Sequence, residues 1–287
     1  MLSLMFILSG LASASVEPCT FELEDAIVRI QYYDQTPVEQ PLCVAVVDLP
    51  DTVQETLPAV VMLHGLGDAP SGWAREGVVQ LWLEAMRTGE LPPMRIVLPQ
   101  GNEGYWSNQI EGEGRYRDWV IALMSQLERD SLITEDNNVL MGVSMGGYGA
   151  LSLGLAYPNR FSTLLALSPT DLEIATQLQP NRPVYTSLFG QPIHQAYVAA
   201  LEPREQIIRG AGHDQHIAIV VGDKEPSKFR IGVERLDLLQ KQHQVQLRVR
   251  HVAEGCHCWA STWDSESQRW LIEQAVESLE SARKENQ

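Results

Sequence analysis

Eight short runs of Val, Ile, Leu and Ala recur along the chain, separated from the third onward by longer stretches with apolar residues at three and four spacing. That alternation constrains the fold more than any other feature, because strands joined through helices can pair only as parallel neighbours in one sheet. The expected strands are Ile27–Tyr33, Cys43–Leu49, Ala59–His64, Arg95–Pro99, Asn138–Val143, Thr163–Ser168, Ile217–Val221 and Leu247–Val252. Helices are expected over Gly72–Thr88, Tyr116–Asp130, Met145–Tyr157, Arg230–His243 and Asp264–Arg283. Only the turn-rich stretch Asp34–Pro41 separates the first two strands, so they read as an antiparallel hairpin at one edge.

One stretch breaks the pattern. Between Pro169 and His216, Pro169, Pro180, Pro183, Pro192 and Pro203 interrupt any long periodicity, and the span far exceeds an ordinary connection. It reads as a lid or cap inserted between two strands of a single domain covering 15–287, since no repeat or linker divides the chain. Residues 1–16 carry no charged side chain, and Leu2–Leu11 is an apolar run of signal-peptide length followed by Ala12-Ser13-Ala14. The reading is a signal peptide over 1–14 and export to the periplasm or medium. A buried N-terminal strand or helix, with a cytoplasmic protein, is the competing reading, and Met1 lacks the nearby Lys or Arg that export favours.

Charge and cysteine content narrow the function. With 37 acidic against 21 basic residues the formal charge is -16, and no Lys/Arg cluster faces a phosphate backbone, so nucleic acid is not an expected partner. Four Cys in 287 residues are too few for a disulfide scaffold, and none has zinc-site spacing. No metal and no cofactor is called for. No other stretch approaches the length of a membrane span, so stable membrane insertion is not expected.

The sharpest local signal is Gly142-Val143-Ser144-Met145-Gly146, preceded by Val139-Leu140-Met141 and followed by Gly147-Tyr148-Gly149-Ala150-Leu151. The bare G-x-S-x-G pattern is weak, but here an apolar strand runs into it and a helix pattern leaves it. Such a turn strains the serine backbone and demands small residues two before and two after, which Gly142 and Gly146 supply. A nucleophilic serine needs a base, and of the seven histidines His257 follows the last strand, where the α/β-hydrolase fold carries it. The loop after Ile217–Val221 offers Asp223 and Glu225; the acid often lies three residues past the glycine, which favours Glu225, while Asp223 stays open as the alternative. Ser144, acid, His257 is the chain order of that fold. An oxyanion hole is expected from the backbone N–H of Met145 and from that of Leu66 in the turn His64-Gly65-Leu66-Gly67. His64 itself reads as structural.

These stretches, with Ala166-Leu167-Ser168-Pro169 and Gly255-Cys256-His257-Cys258-Trp259, resemble the Putative esterase family of α/β-hydrolases, over about Leu57 to Leu271. That group includes S-formylglutathione hydrolases, feruloyl and acetylxylan esterases, and mycolyltransferases. The resemblance implies an α/β-hydrolase fold, an eight-stranded mainly parallel sheet with an antiparallel N-terminal edge and a small cap insertion. It also implies a serine nucleophile at Ser144, with the family's acid and histidine falling on Glu225 and His257. The sequence departs from the family in having Glu225 where aspartate is usual, and in the cysteines that flank His257.

The expected function is carboxylic-ester hydrolysis of a small-molecule or saccharide ester through an acyl-enzyme. An acyltransferase, a serine peptidase and a non-catalytic binding protein of the same fold are the alternatives. Cys19 and Cys43 bracket the expected hairpin and form the most local pair, leaving Cys256 with Cys258; free thiols or pairing across the fold remain open. Trp106, Trp259 and Trp263 fall near the expected site and serve either core packing or a stacking platform. Neither the acyl and alcohol parts nor the oligomeric state is legible.

Overall fold

The computed structural model describes residues 18–34, 36–38, 40–112 and 114–285. The expected signal peptide over 1–14 lies outside the described residues.

The chain forms an eight-stranded sheet with strands β1 (Ile27–Tyr33), β2 (Leu42–Asp48), β3 (Ala59–Leu63), β4 (Arg95–Pro99), β5 (Asn138–Val143), β6 (Phe161–Leu167), β7 (His216–Gly222) and β8 (Gln246–Val252). Their spatial order is β1-β2-β4-β3-β5-β6-β7-β8. β1 pairs with β2 and β2 with β4 antiparallel, and every other pairing is parallel. The expected hairpin is therefore real, and the whole is an α/β-hydrolase fold.

Side chains along a strand alternate between faces, so each parallel strand feeds two cores. In β3, Ala59, Val61 and Leu63 join one apolar layer while Val60 and Met62 join the other. The first layer is closed by α3 (Tyr116–Arg129), α4 (Met145–Ala156) and α9 (Ser227–His243). The second is closed by α1 (Pro70–Arg75), α2 (Val78–Arg87) and α10 (Ser265–Glu285), anchored by Trp73, Trp82 and Leu271. Every residue of α4 from Met145 to Leu155 is buried, which places this glycine-rich helix in the middle of the molecule.

Two expectations need correction. The single helix expected over Gly72–Thr88 is two, because Gly77 between α1 and α2 takes a left-handed backbone with φ 76° that ends one helix before the next begins. The segment after Pro169 is not irregular: it folds into α5 (Leu172–Leu178), α6 (Pro183–Phe189), α7 (Gln195–Leu201) and α8 (Pro203–Ile208). Pro183 and Pro203 open helices, since a first-turn proline lacks only an N–H that has no intrahelical partner there.

Cys19 is joined to Cys43, with Cα atoms 6.1 Å apart, which ties the chain before β1 to the start of β2. Cys256 and Cys258 form the second disulfide. No helix among the described residues is long and apolar enough to cross a membrane.

Candidate active site

The site forms along the carboxyl ends of β3, β5, β6, β7 and β8, the edge where open α/β sheets gather ligand-binding loops. Ser144 sits between β5 and α4 with φ 57° and ψ -111°, a backbone that side-chain-bearing residues rarely adopt. Its neighbours explain how the chain turns so sharply. A Cβ on Gly142 would meet the Gly146 carbonyl oxygen at 2.0 Å, and one on Gly146 would meet the Leu63 carbonyl oxygen at 1.8 Å. Only glycine fits at either position.

Three side chains distant in sequence converge here. The Ser144 hydroxyl donates to Nε2 of His257 at 2.9 Å. Nδ1–H of His257 donates to Oε2 of Glu225 at 2.7 Å. The Glu225 side chain is fully buried, and its other oxygen accepts from the hydroxyl of Ser168 at 2.6 Å and from the Gly222 N–H at 2.9 Å. Asp223 does not join this chain: its exposed carboxylate faces Nδ1 of His251 at 3.4 Å. Two residues along a tight loop point opposite ways, and only one faces the imidazole.

Ser168 and Phe229 were given no role on sequence grounds, yet both shape the site. Ser168 sits at the end of β6 and accepts from the indole N–H of Trp263 at 2.6 Å while donating to Glu225. Phe229, in the first turn of α9, stacks on the His257 ring with centroids 3.8 Å apart and planes 18° apart. The edge contact of Trp263, at 4.5 Å, bounds the same imidazole from another direction. The available signal for Ser168 was its position at the end of a strand beside the elbow; nothing local marked Phe229, which arrives from the following helix.

The turn Gly65–Leu66 lies against the elbow, since a Cβ on Gly65 would come within 3.7 Å of Cβ of Ser144. The backbone N–H groups of Leu66 and Met145 donate to no protein acceptor among the described residues. His64 supports this turn from beneath: its Nδ1–H donates to the Gly65 carbonyl at 2.9 Å, and its Nε2 accepts the Gly101 N–H at 3.0 Å. The contact at Nε2 requires a neutral ring, and burial lowers the His64 pKa. Of the tryptophans, Trp106 and Trp263 are buried, whereas Trp259 is half-exposed and meets Trp73 and Trp263 edge to face.

A serine on a strand-to-helix elbow, a histidine after the last strand and a carboxylate after the strand before it form the arrangement of the serine hydrolases of the α/β-hydrolase fold. The model of the Putative esterase family matches residues 40–273. The chain belongs to that family. An acetyl esterase from Caldicellulosiruptor saccharolyticus is 27% identical over 157 residues, a match that covers 50% of this chain and 56% of that protein. A fluorophosphonate-binding serine hydrolase from Staphylococcus aureus has the same fold, with TM-score 0.71 and 16% identity over 88% of this chain and 99% of that one. So has an S-formylglutathione hydrolase from Agrobacterium tumefaciens, with TM-score 0.72 and 16% identity over 89% and 98%. At such identities the structures share the fold.

Proposed function

We propose that this protein hydrolyses carboxylic esters through a Ser144–His257–Glu225 triad and an acyl-enzyme. The observation that carries the reading is the unbroken hydrogen-bond chain from the Ser144 hydroxyl through both nitrogens of His257 to the buried Glu225 carboxylate. A serine hydroxyl is a weak nucleophile until a base removes its proton, and His257 Nε2 lies at the distance that transfer needs.

In this scheme Ser144 Oγ attacks the ester carbonyl carbon as its proton passes to His257 Nε2. The carbonyl oxygen gains negative charge and accepts hydrogen bonds from the Leu66 and Met145 N–H groups, which have no protein partner to give up among the described residues. The start of α4 behind Ser144 adds its positive dipole end. His257 then returns the proton to the departing alcohol, leaving the acyl group on Ser144. Water attacks that ester with His257 again as base, the acid leaves, and Ser144 regains its hydroxyl. Glu225 accepts the Nδ1–H throughout, fixing the tautomer and stabilising the imidazolium.

The test is Ser144→Ala against the parent on p-nitrophenyl acetate, with fluorophosphonate labelling in parallel. Loss of both is expected, the rate falling roughly 10⁶-fold toward the small residue that the rest of a site retains. Labelling that persists in the variant overturns the assignment of the nucleophile. Product analysis with an added alcohol acceptor distinguishes hydrolysis from acyl transfer, and a peptide amide distinguishes it from proteolysis. The helical segment 169–216 is proposed as the cap over the pocket, and export remains the proposed localisation.

A further inference from the structure

His257 is flanked by two cysteines that are bonded to each other, so the proposed base is the middle residue of a covalent ring closed across Cys256 and Cys258. The Cys258 N–H donates to the Cys256 carbonyl at 2.8 Å, which closes the same stretch a second time as a γ-turn. Outside the ring the loop is fixed on both sides. The buried Gly255 donates its N–H to the Val252 carbonyl at 3.0 Å, and its carbonyl accepts the Lys224 N–H at 3.0 Å, which ties it to the turn that carries Glu225. The Cys258 carbonyl accepts the Trp263 N–H at 3.2 Å. The backbone of His257 itself makes no hydrogen bond among the described residues, so its φ and ψ are set by the ring and the anchors around it.

The two disulfides differ in span and in exposure. Cys19 and Cys43 are 24 positions apart and both buried, whereas Cys256 and Cys258 are 2 apart, with Cys256 exposed and Cys258 half-buried. The freedom that a cross-link takes from the unfolded chain grows with the loop it closes, so the short bridge adds little to global stability. What it restricts is local. It limits the backbone at His257, and through it the placement of Nε2 at 2.9 Å from the Ser144 hydroxyl and of Nδ1 at 2.7 Å from Glu225. Thiol exchange requires access to a sulfur, and of the two bridges this is the one that faces solvent. Ser261 Oγ stands against it, accepting the Cys256 N–H at 3.0 Å and lying 3.2 Å from Sγ of Cys256.

We propose that Cys256 and Cys258 are positioning residues for the base, and that a soluble dithiol opens their bond reversibly and slows the chemical step. This rests on the esterase reading above. A thiolate of the dithiol attacks Sγ of Cys256, the bond to Cys258 breaks, and Cys258 leaves as a thiolate that takes a proton. The second thiol of the reductant attacks the mixed disulfide, forming its own cyclic disulfide and releasing Cys256 as a thiol. Two electrons and two protons pass from the dithiol to the protein, and a disulfide oxidant reverses the exchange. Once the ring is open only the γ-turn hydrogen bond spans His257, and the imidazole can leave the line between Ser144 and Glu225.

In the experiment the folded protein is treated with dithiothreitol, freed of it by gel filtration without oxygen, and assayed on p-nitrophenyl acetate. A parallel sample is alkylated with iodoacetamide and peptide-mapped to identify the opened bond. Alkylation is expected at Cys256 and Cys258 with Cys19 and Cys43 protected. The accompanying fall in kcat should be about tenfold or more with KM within about twofold, the range that misplacing a catalytic group costs. Oxidised glutathione is expected to restore kcat. Cys256→Ser with Cys258→Ser is expected to show the low kcat from the start, to ignore dithiothreitol and to keep an unfolding midpoint near the parent's. Full kcat with the Cys256–Cys258 bond open overturns the proposal while leaving the esterase intact, as does a double variant as active as the parent. A loss that tracks alkylation of Cys19 and Cys43, or that oxidised glutathione does not reverse, overturns it as well. If no ester is turned over, the esterase reading fails and the ring is judged on His257 itself. The downfield proton NMR signal of its Nδ1–H, assigned with His257→Gln, is then expected to shift or vanish on reduction; a signal that stays unchanged overturns the positioning role.

Discussion

Phe229 lies flat against the imidazole of His257, with ring centres 3.8 Å apart, so the proposed base is held by a side chain from α9 as well as by its own loop. The hydrogen bonds at Nδ1 and Nε2 fix the ring in its plane, but a ring held only at two points in its plane can still rock out of it. The stack opposes that motion. Phe229→Leu keeps an apolar contact and loses the flat face, and we expect kcat/KM to fall about tenfold, within the range that small misplacements of a catalytic group cost. Unchanged kcat/KM would show that the loop alone positions the base.

The two acids of the β7 loop separate cleanly. Glu225→Gln preserves shape but offers His257 an amide in place of a carboxylate, so under the proposed mechanism the rate should drop roughly 10⁴-fold, as for removal of the orienting charge in serine triads. Asp223→Asn removes only an exposed pairing with His251 and should leave kcat/KM within about twofold. Steady-state kinetics on one activated ester measures both; a larger loss in the Asp223 variant reverses the assignment.

Stability has a separate anchor at the opposite end of the sheet. Arg95, fully buried, bonds the equally buried Asp48 and donates to the Leu132 and Val53 carbonyls, while Arg29 reaches Asp48 from the surface at 2.6 Å. Arg95→Met strands Asp48 with one half-exposed partner and takes a donor from the Leu132 and Val53 carbonyls. We expect a loss of about 3 kcal/mol or more, read from the denaturant midpoint. A midpoint equal to the parent's would mean the buried pair contributes nothing.

Acidification should act through His64. Burial holds its pKa below the ordinary 6.5, although the Gly65 bond and the Asp68 charge both favour the proton. Below that ordinary value the unfolded chain binds a proton that the folded chain refuses, so stability falls as the pH drops from there. His216 is shifted the same way, again by burial first. His64→Gln, whose amide can accept the Gly101 N–H, should flatten the slope of stability against pH between about 6.5 and 5. A slope identical to the parent's would assign the acid sensitivity elsewhere.

The sheet was legible in the sequence because each strand carries its own pattern. The eight expected runs match the observed strands to within two residues at each end, and the glycines around Ser144 announced an elbow whose backbone geometry depends on them. Local pattern also misled at the punctuation. Gly77 split a helix that periodicity drew as one, and the prolines of the segment after β6 begin helices where they looked like interruptions.

What one strand or turn encodes could be read along the chain: the parallel sheet, the serine at the end of β5 and the histidine after β8. The partners were legible only as candidates, Glu225 favoured with Asp223 left open, or not at all. Glu225 and Asp223 share one loop, and which faces His257 depends on how β7 and β8 lie side by side. Ser168, Phe229 and Trp263 meet the site from β6, α9 and the loop before α10. These contacts join residues tens of positions apart, and only packing of the sheet and its helices brings them within hydrogen-bond and stacking distance.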